Sequence, residues 1–114
     1  MIHRRLNEMI GGWMVGDFEP ACLRTTACEV ACKSYVAGDT ELAHVHRIAT
    51  ELTLIASGRV TMNGRTFVAG DIIILEPGEP ADFAALEPTM TVVLKMPSVR
   101  GDKYPATLPA EAAS

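Results

Sequence analysis

Short apolar stretches alternate with Gly, Pro, Asn and Asp along the chain, and no long segment carries a helical period. The pattern predicts strands over 12–16, 27–36, 42–48, 51–57, 59–62, 65–69, 71–75, 81–86 and 89–96. Turn-forming clusters separate many of them: AGDT at 37–40, SGR at 57–59, AGD at 69–71 and EPGEP at 76–80. Asn63-Gly64, between RVTM and RTFV, is the strongest local signal, because both residues readily take the positive φ of a type I′ hairpin turn. Many short strands at regular spacing predict an all-β sandwich or barrel-like jelly roll. DIIIL at 71–75 is continuously apolar rather than alternating, which predicts a strand covered on both faces, as where a sheet also packs on a partner subunit. The segment before Trp13 predicts a short helix or an arm, and the prolines and small residues of 102–114 predict a fraying tail.

A chain of 114 residues sets the expectation at one domain with a modest core. Its net charge of −4 excludes electrostatic attraction to nucleic acid or to an anionic membrane surface. The N-terminus carries early arginines without an apolar signal-peptide core, and no stretch approaches the ~20 apolar residues of a spanning helix, so the expected location is cytoplasmic. Cys22, Cys28 and Cys32 are odd in number and lack CxxC spacing, which argues against a disulfide scaffold and leaves a cysteine-only zinc site without a fourth ligand. They are expected as small buried hydrophobes.

The chemistry concentrates at HVHRIATE, residues 44–51. Alternate strand residues share a face, so His44 and His46 point the same way, close enough to share one ion. Glu51 follows a short turn and opens the next strand; if the two strands pair, its carboxylate closes a three-ligand site. Two imidazoles and one carboxylate with open positions suit Fe(II), and also Mn, Ni, Co or Zn.

The spacing Gly38-x5-His44-x-His46-x4-Glu51-x6-Gly58 resembles the first conserved motif of the cupin superfamily at every fixed position. The second cupin motif is matched only in part: Gly70 and Gly78 are present, but Glu76 replaces proline, Ala81 replaces the fourth metal-binding histidine and Ala85 replaces asparagine. The resemblance spans roughly residues 28–96 and implies a small single-domain cupin, a jelly-roll β-barrel, with a divalent transition metal on His44, His46 and Glu51. The implied organisation is an N-terminal arm and first strands over 1–27, a cupin core over 28–100 and a flexible tail over 101–114, all within one domain.

With the fourth histidine absent, Glu76, Glu79 and Asp82 cluster where it would sit, and Glu76 is the candidate to reach the pocket. Strand parity adds Thr53 to the inward face of Glu51, giving Thr53, Glu76 and Asp82 as expected substrate-pocket residues. Lys33 and Tyr35 share a face on the preceding strand and join Glu76 as candidate acids or bases. Trp13 is expected as a core or interface anchor. The resemblance implies a metal-dependent enzyme on a small polar metabolite, an isomerase of sugars or keto acids or an oxygenolytic dioxygenase. The alternatives are a non-catalytic sugar-binding module and a metal-free structural cupin. The expected partners are a small-molecule ligand and a second copy of the chain, a homodimer.

Overall fold

A computed structural model describes residues 1–108. It is built almost entirely from β-strands: β1 (Trp13–Gly16), β2 (Leu23–Arg24), β3 (Glu29–Tyr35), β4 (Thr40–Val45), β5 (Thr50–Ser57), β6 (Arg59–Met62), β7 (Arg65–Val68), β8 (Ile72–Leu75), β9 (Ala81–Ala85), β10 (Thr89–Met96) and β11 (Tyr104–Pro105). Two short 3-10 turns, Leu6–Glu8 and Ile10–Gly12, make up the helical part of the N-terminal arm. No helix among the described residues is long and apolar enough to cross a membrane.

The strands form two facing sheets, one of six strands in the order β2-β1-β3-β10-β5-β8 and one of five in the order β11-β4-β9-β6-β7. All nine expected strands are present near their expected positions. The β6–β7 hairpin turns on Asn63 (φ 51°) and Gly64 (φ 77°), with Met62 paired to Arg65, as the Asn-Gly signal requires. Asn63 also ties this turn to β9: its main-chain N–H donates to the Asp82 carboxylate (2.6 Å) and Asp82 N–H donates to the Asn63 side-chain oxygen (3.0 Å).

Inward residues of the two sheets divide the interior into two zones. Ile55, Val60, Met62, Ala81, Phe83 and Ala85 form the buried apolar core, with Tyr35, Phe67, Ile73 and Leu75 packed against it. Along the inner face of the six-stranded sheet the side chains become polar, because Lys95 of β10 pairs in register with Glu29 of β3 on one side and Glu51 of β5 on the other. Strand alternation brings Lys33, Thr53 and Thr91 to that same face. One end of the barrel is thus oily and the other is lined with charges.

Three expectations differ from this structure. DIIIL is not covered on both faces within the chain: Ile73 packs inward, but Ile72 and Ile74 are 59% and 55% exposed. The cysteines are free and not fully buried; Cys22 is exposed, and Cys28 and Cys32 are half-buried. The tail expected from residue 101 is instead docked over its first residues, since Tyr104–Pro105 pairs with Val45 and His44 of β4 and Ala106 N–H reaches the Ala43 carbonyl at 3.1 Å. Residues 109–114 of that expected tail lie outside the described residues.

Candidate metal centre

His44 lies on β4, His46 immediately after it and Glu51 on β5, so the two sheets contribute two imidazoles and a carboxylate to one point. One ligand atom from each lies within 4.8 Å of the other two. The two rings stand edge-to-face with centroids 5.2 Å apart. His44 sits opposite Ala81 of β9, so the position where the resemblance asks for a fourth histidine is the neighbouring strand residue, occupied by a buried methyl group.

Each imidazole is oriented by a backbone carbonyl. His44 Nδ1 lies 3.2 Å from the Leu42 carbonyl and His46 Nδ1 lies 2.5 Å from the Asp102 carbonyl. A carbonyl oxygen only accepts, so both Nδ1 atoms carry hydrogen, and Nε2 is the ring nitrogen left to act as a ligand. His46 Nε2 is 2.6 Å from Glu51 Oε2, a contact that without metal requires a proton between them. The bond to Glu51 outweighs burial and raises the His46 pKa above its ordinary 6.5. Burial pushes the Glu51 carboxyl up, but His46 and nearby Lys95 bring it below the ordinary 4.5. His44 goes the other way, because burial lowers its pKa more than the Leu42 carbonyl raises it. One proton shared between His46 Nε2 and Glu51 thus lies where the three donor groups converge.

Asp102 was not expected in the site. Its main-chain carbonyl holds His46, and its buried carboxylate accepts the backbone N–H groups of Arg47 (2.8 Å), Ile48 (3.2 Å) and Ala49 (2.9 Å) in the turn between His46 and Glu51. Burial pushes this carboxyl up, but those N–H donors hold it below the usual Asp range. Arg47 stacks on the Tyr104 ring at 3.8 Å and pins the same segment from outside. The sequence signal, had it been used, was an Asp between Gly101 and Lys103 in an otherwise small-residue tail, which is too common to single out.

The centre opens into a cavity of about 250 Å³. Of the expected pocket residues, Thr53 and Asp82 line it, although the Asp82 carboxylate is engaged by Asn63. Glu76 does not line the cavity; it is exposed and lies 3.4 Å from the Thr50 hydroxyl. Register explains this: Leu75 pairs with Glu51 and faces inward, so its neighbour Glu76 faces away. Lys33 and Tyr35 do reach the cavity, where both donate to Glu41 Oε1, at 2.9 and 3.1 Å. Burial lowers the Lys33 pKa, but Glu41 more than restores it, and burial raises that of Tyr35. At neutral pH both therefore keep their protons and act as donors rather than bases. Burial also pushes Glu41 up, yet the Lys33 and Tyr35 bonds hold it below 4.5. Trp13, expected in a core or interface, lines the cavity with the Lys95 ammonium 4.9 Å from its ring centroid. Glu29, Lys95, Thr91 and Lys103 complete the polar lining.

No protein-family model and no curated protein matches the chain. Among solved structures, an uncharacterised conserved protein with a double-stranded β-helix domain from Klebsiella pneumoniae is similar at 26% identity and a TM-score of 0.66, over 72% of each chain. The DMSP lyase DddQ from Ruegeria pomeroyi is similar at 20% identity and a TM-score of 0.69, over 82% of this chain and 49% of that one. A sugar phosphate isomerase of the cupin superfamily from Silicibacter pomeroyi is similar at 17% identity and a TM-score of 0.59, over 63% of this chain and 52% of that one. The likeness is one of fold.

Proposed function

On the double-stranded β-helix of a small cupin domain, we propose that this chain is a metal-dependent enzyme acting on a small polar metabolite. The observation that carries the reading is the convergence of His44, His46 and Glu51, with each Nδ1 held by a carbonyl so that Nε2 is the ring nitrogen left to bind an ion. These three residues would hold a divalent transition metal, and Asp102 would orient His46. Such an ion supplies Lewis acidity to substrate oxygens. Around it, Lys33 and Tyr35 stand as donors fixed by Glu41, so they would position and polarise a substrate rather than remove a proton from it. A lyase and a sugar phosphate isomerase occur on the same fold, which supports isomerisation or bond cleavage as the reaction class. A second reading, a non-catalytic binding module, is favoured by one observation, the buried Ala81 beside His44 that leaves the centre with three protein donors.

The test is elemental analysis after reconstitution with Fe, Mn, Ni, Co or Zn and desalting. The expected result is close to one ion per chain, with the His44→Ala and His46→Ala double variant retaining none. Wild-type protein that retains no metal overturns the metal reading. Metal-loaded protein that turns over no sugar, keto acid or hydroxy acid favours the binding module.

A further inference from the structure

We infer that the ligand of this cavity is a small monocarboxylate carrying at least one further oxygen, such as a hydroxy, keto or sugar acid, whose carboxylate is taken by Lys103. The inference rests on the metal reading above and adds the chemical class of the substrate.

The carboxylates of the lining are already matched. Glu29 pairs with Lys95 (3.0 Å) and accepts from Ser98 (2.9 Å). Glu41 is held by Lys33 and Tyr35, Glu51 by His46 and Asp82 by Asn63. Of the three lysines in the lining, Lys33 and Lys95 are thereby neutralised, whereas Lys103 forms no ion pair among the described residues. It is exposed at the mouth and follows Asp102, the residue whose carbonyl holds His46, so its backbone is anchored beside the centre. With a divalent ion on His44, His46 and Glu51, three lysines against four carboxylates would leave one positive charge, which a monoanion balances.

A second observation points to a polar ligand. Thr91 lines the cavity at 1% exposure, and its hydroxyl has no hydrogen-bond partner among the described residues. A buried hydroxyl left unpaired is costly, but this oxygen is itself covered, so a ligand oxygen recovers that cost only where the lining opens to reach it. The cavity of about 250 Å³ lies below the common range for drug-sized ligands and limits the occupant to a small metabolite.

Calorimetric titration of Ni-loaded protein with size-matched pairs tests this: lactate against 1,2-propanediol, gluconate against glucitol, galacturonate against galactose. At least one acid should bind more tightly than its neutral partner by about tenfold or more. Lys103→Gln should erase that preference while leaving the nickel content unchanged, and added salt should weaken it. Equal binding within every pair, no binding of any member at about 10 mM, or a preference that survives Lys103→Gln would each overturn the inference. Loading with nickel is measured first, so failure of the metal reading registers separately. Protein that takes up no nickel overturns the metal reading and this inference with it, whereas nickel-loaded protein without the acid preference overturns the inference alone.

Discussion

His46 is gripped at both ring nitrogens, by the Asp102 carbonyl and by Glu51, whereas His44 has a single carbonyl partner and the burden of burial. An imidazole NMR titration of metal-free protein should therefore find His46 titrating above 6.5 and His44 below it. Glu51→Gln should move His46 downward; a reversed order, or no movement, contradicts the assigned contacts. The sign for stability follows by linkage. The His46 contribution is fully present below the unfolded value of 6.5 and is lost as pH rises through its raised folded value, whereas lowered His44 destabilises the fold as pH falls below 6.5. Asp102 sits one contact further out. Asp102→Ala strips three backbone N–H groups of their acceptor in the turn before Glu51, which should cost roughly 1–3 kcal/mol in a denaturant melt. The same change should weaken metal binding by ~10–100-fold, as loss of a supporting contact does. Unchanged affinity would show that the carbonyl alone positions His46.

The strand carrying Ile72, Ile73 and Ile74 illustrates how an element can be apolar throughout yet half covered. Beyond Ile72 and Ile74 of β8, the outer face of the six-stranded sheet continues through Leu52 and Leu54 of β5, Val92 and Leu94 of β10 and Val30 of β3, with no charged side chain among them. An isologous contact with a second copy would bury these residues twice and take the exposed apolar face out of water. Sedimentation should accordingly find a homodimer at micromolar concentration, and the Ile72→Lys, Ile74→Lys double variant should be a monomer. A monomeric wild type would sink the proposal. The loop between β5 and β6 is a second element-level constraint. Gly58 has φ +95°, and an added Cβ would lie 2.5 Å from the Pro88 carbonyl and 2.2 Å from the Thr89 hydroxyl. Gly58→Ala should destabilise by more than about 1 kcal/mol, through both strain and the clash, and a neutral melt would mean that the loop can shift.

At the scale of the molecule, the ion and the fold are coupled, because the donors come from both sheets and meet only in the native state. Any metal that binds the folded chain alone stabilises it by about 2.7 kcal/mol at a hundredfold excess over Kd. For a chain of 114 residues that should raise Tm by roughly 4 °C per kcal/mol, reversibly with chelator. The His44→Ala, His46→Ala variant should melt at one temperature with or without metal. A wild-type Tm indifferent to all five ions would contradict the coupling.

Local pattern was enough for the strands, the Asn63-Gly64 hairpin and the pairing of His44 with His46, because each rests on spacing along one strand or on the dihedral preferences of one or two residues. Glu51 was legible for the same reason, one turn away. What lay across the sheets was not. Parity along β4 would set Glu41 and His44 on opposite faces; a bulge between them, visible only in the pairing with β9, brings both to the cavity. Glu76 pointed away once β8 took its register against β5, and Asp102 entered the site from 56 residues beyond His46. The sequence by itself thus determined the fold class and the three converging donors. Tertiary structure alone decided which lysines are neutralised, what holds His46 and which apolar face stays open, since these depend on contacts between strands far apart in the chain.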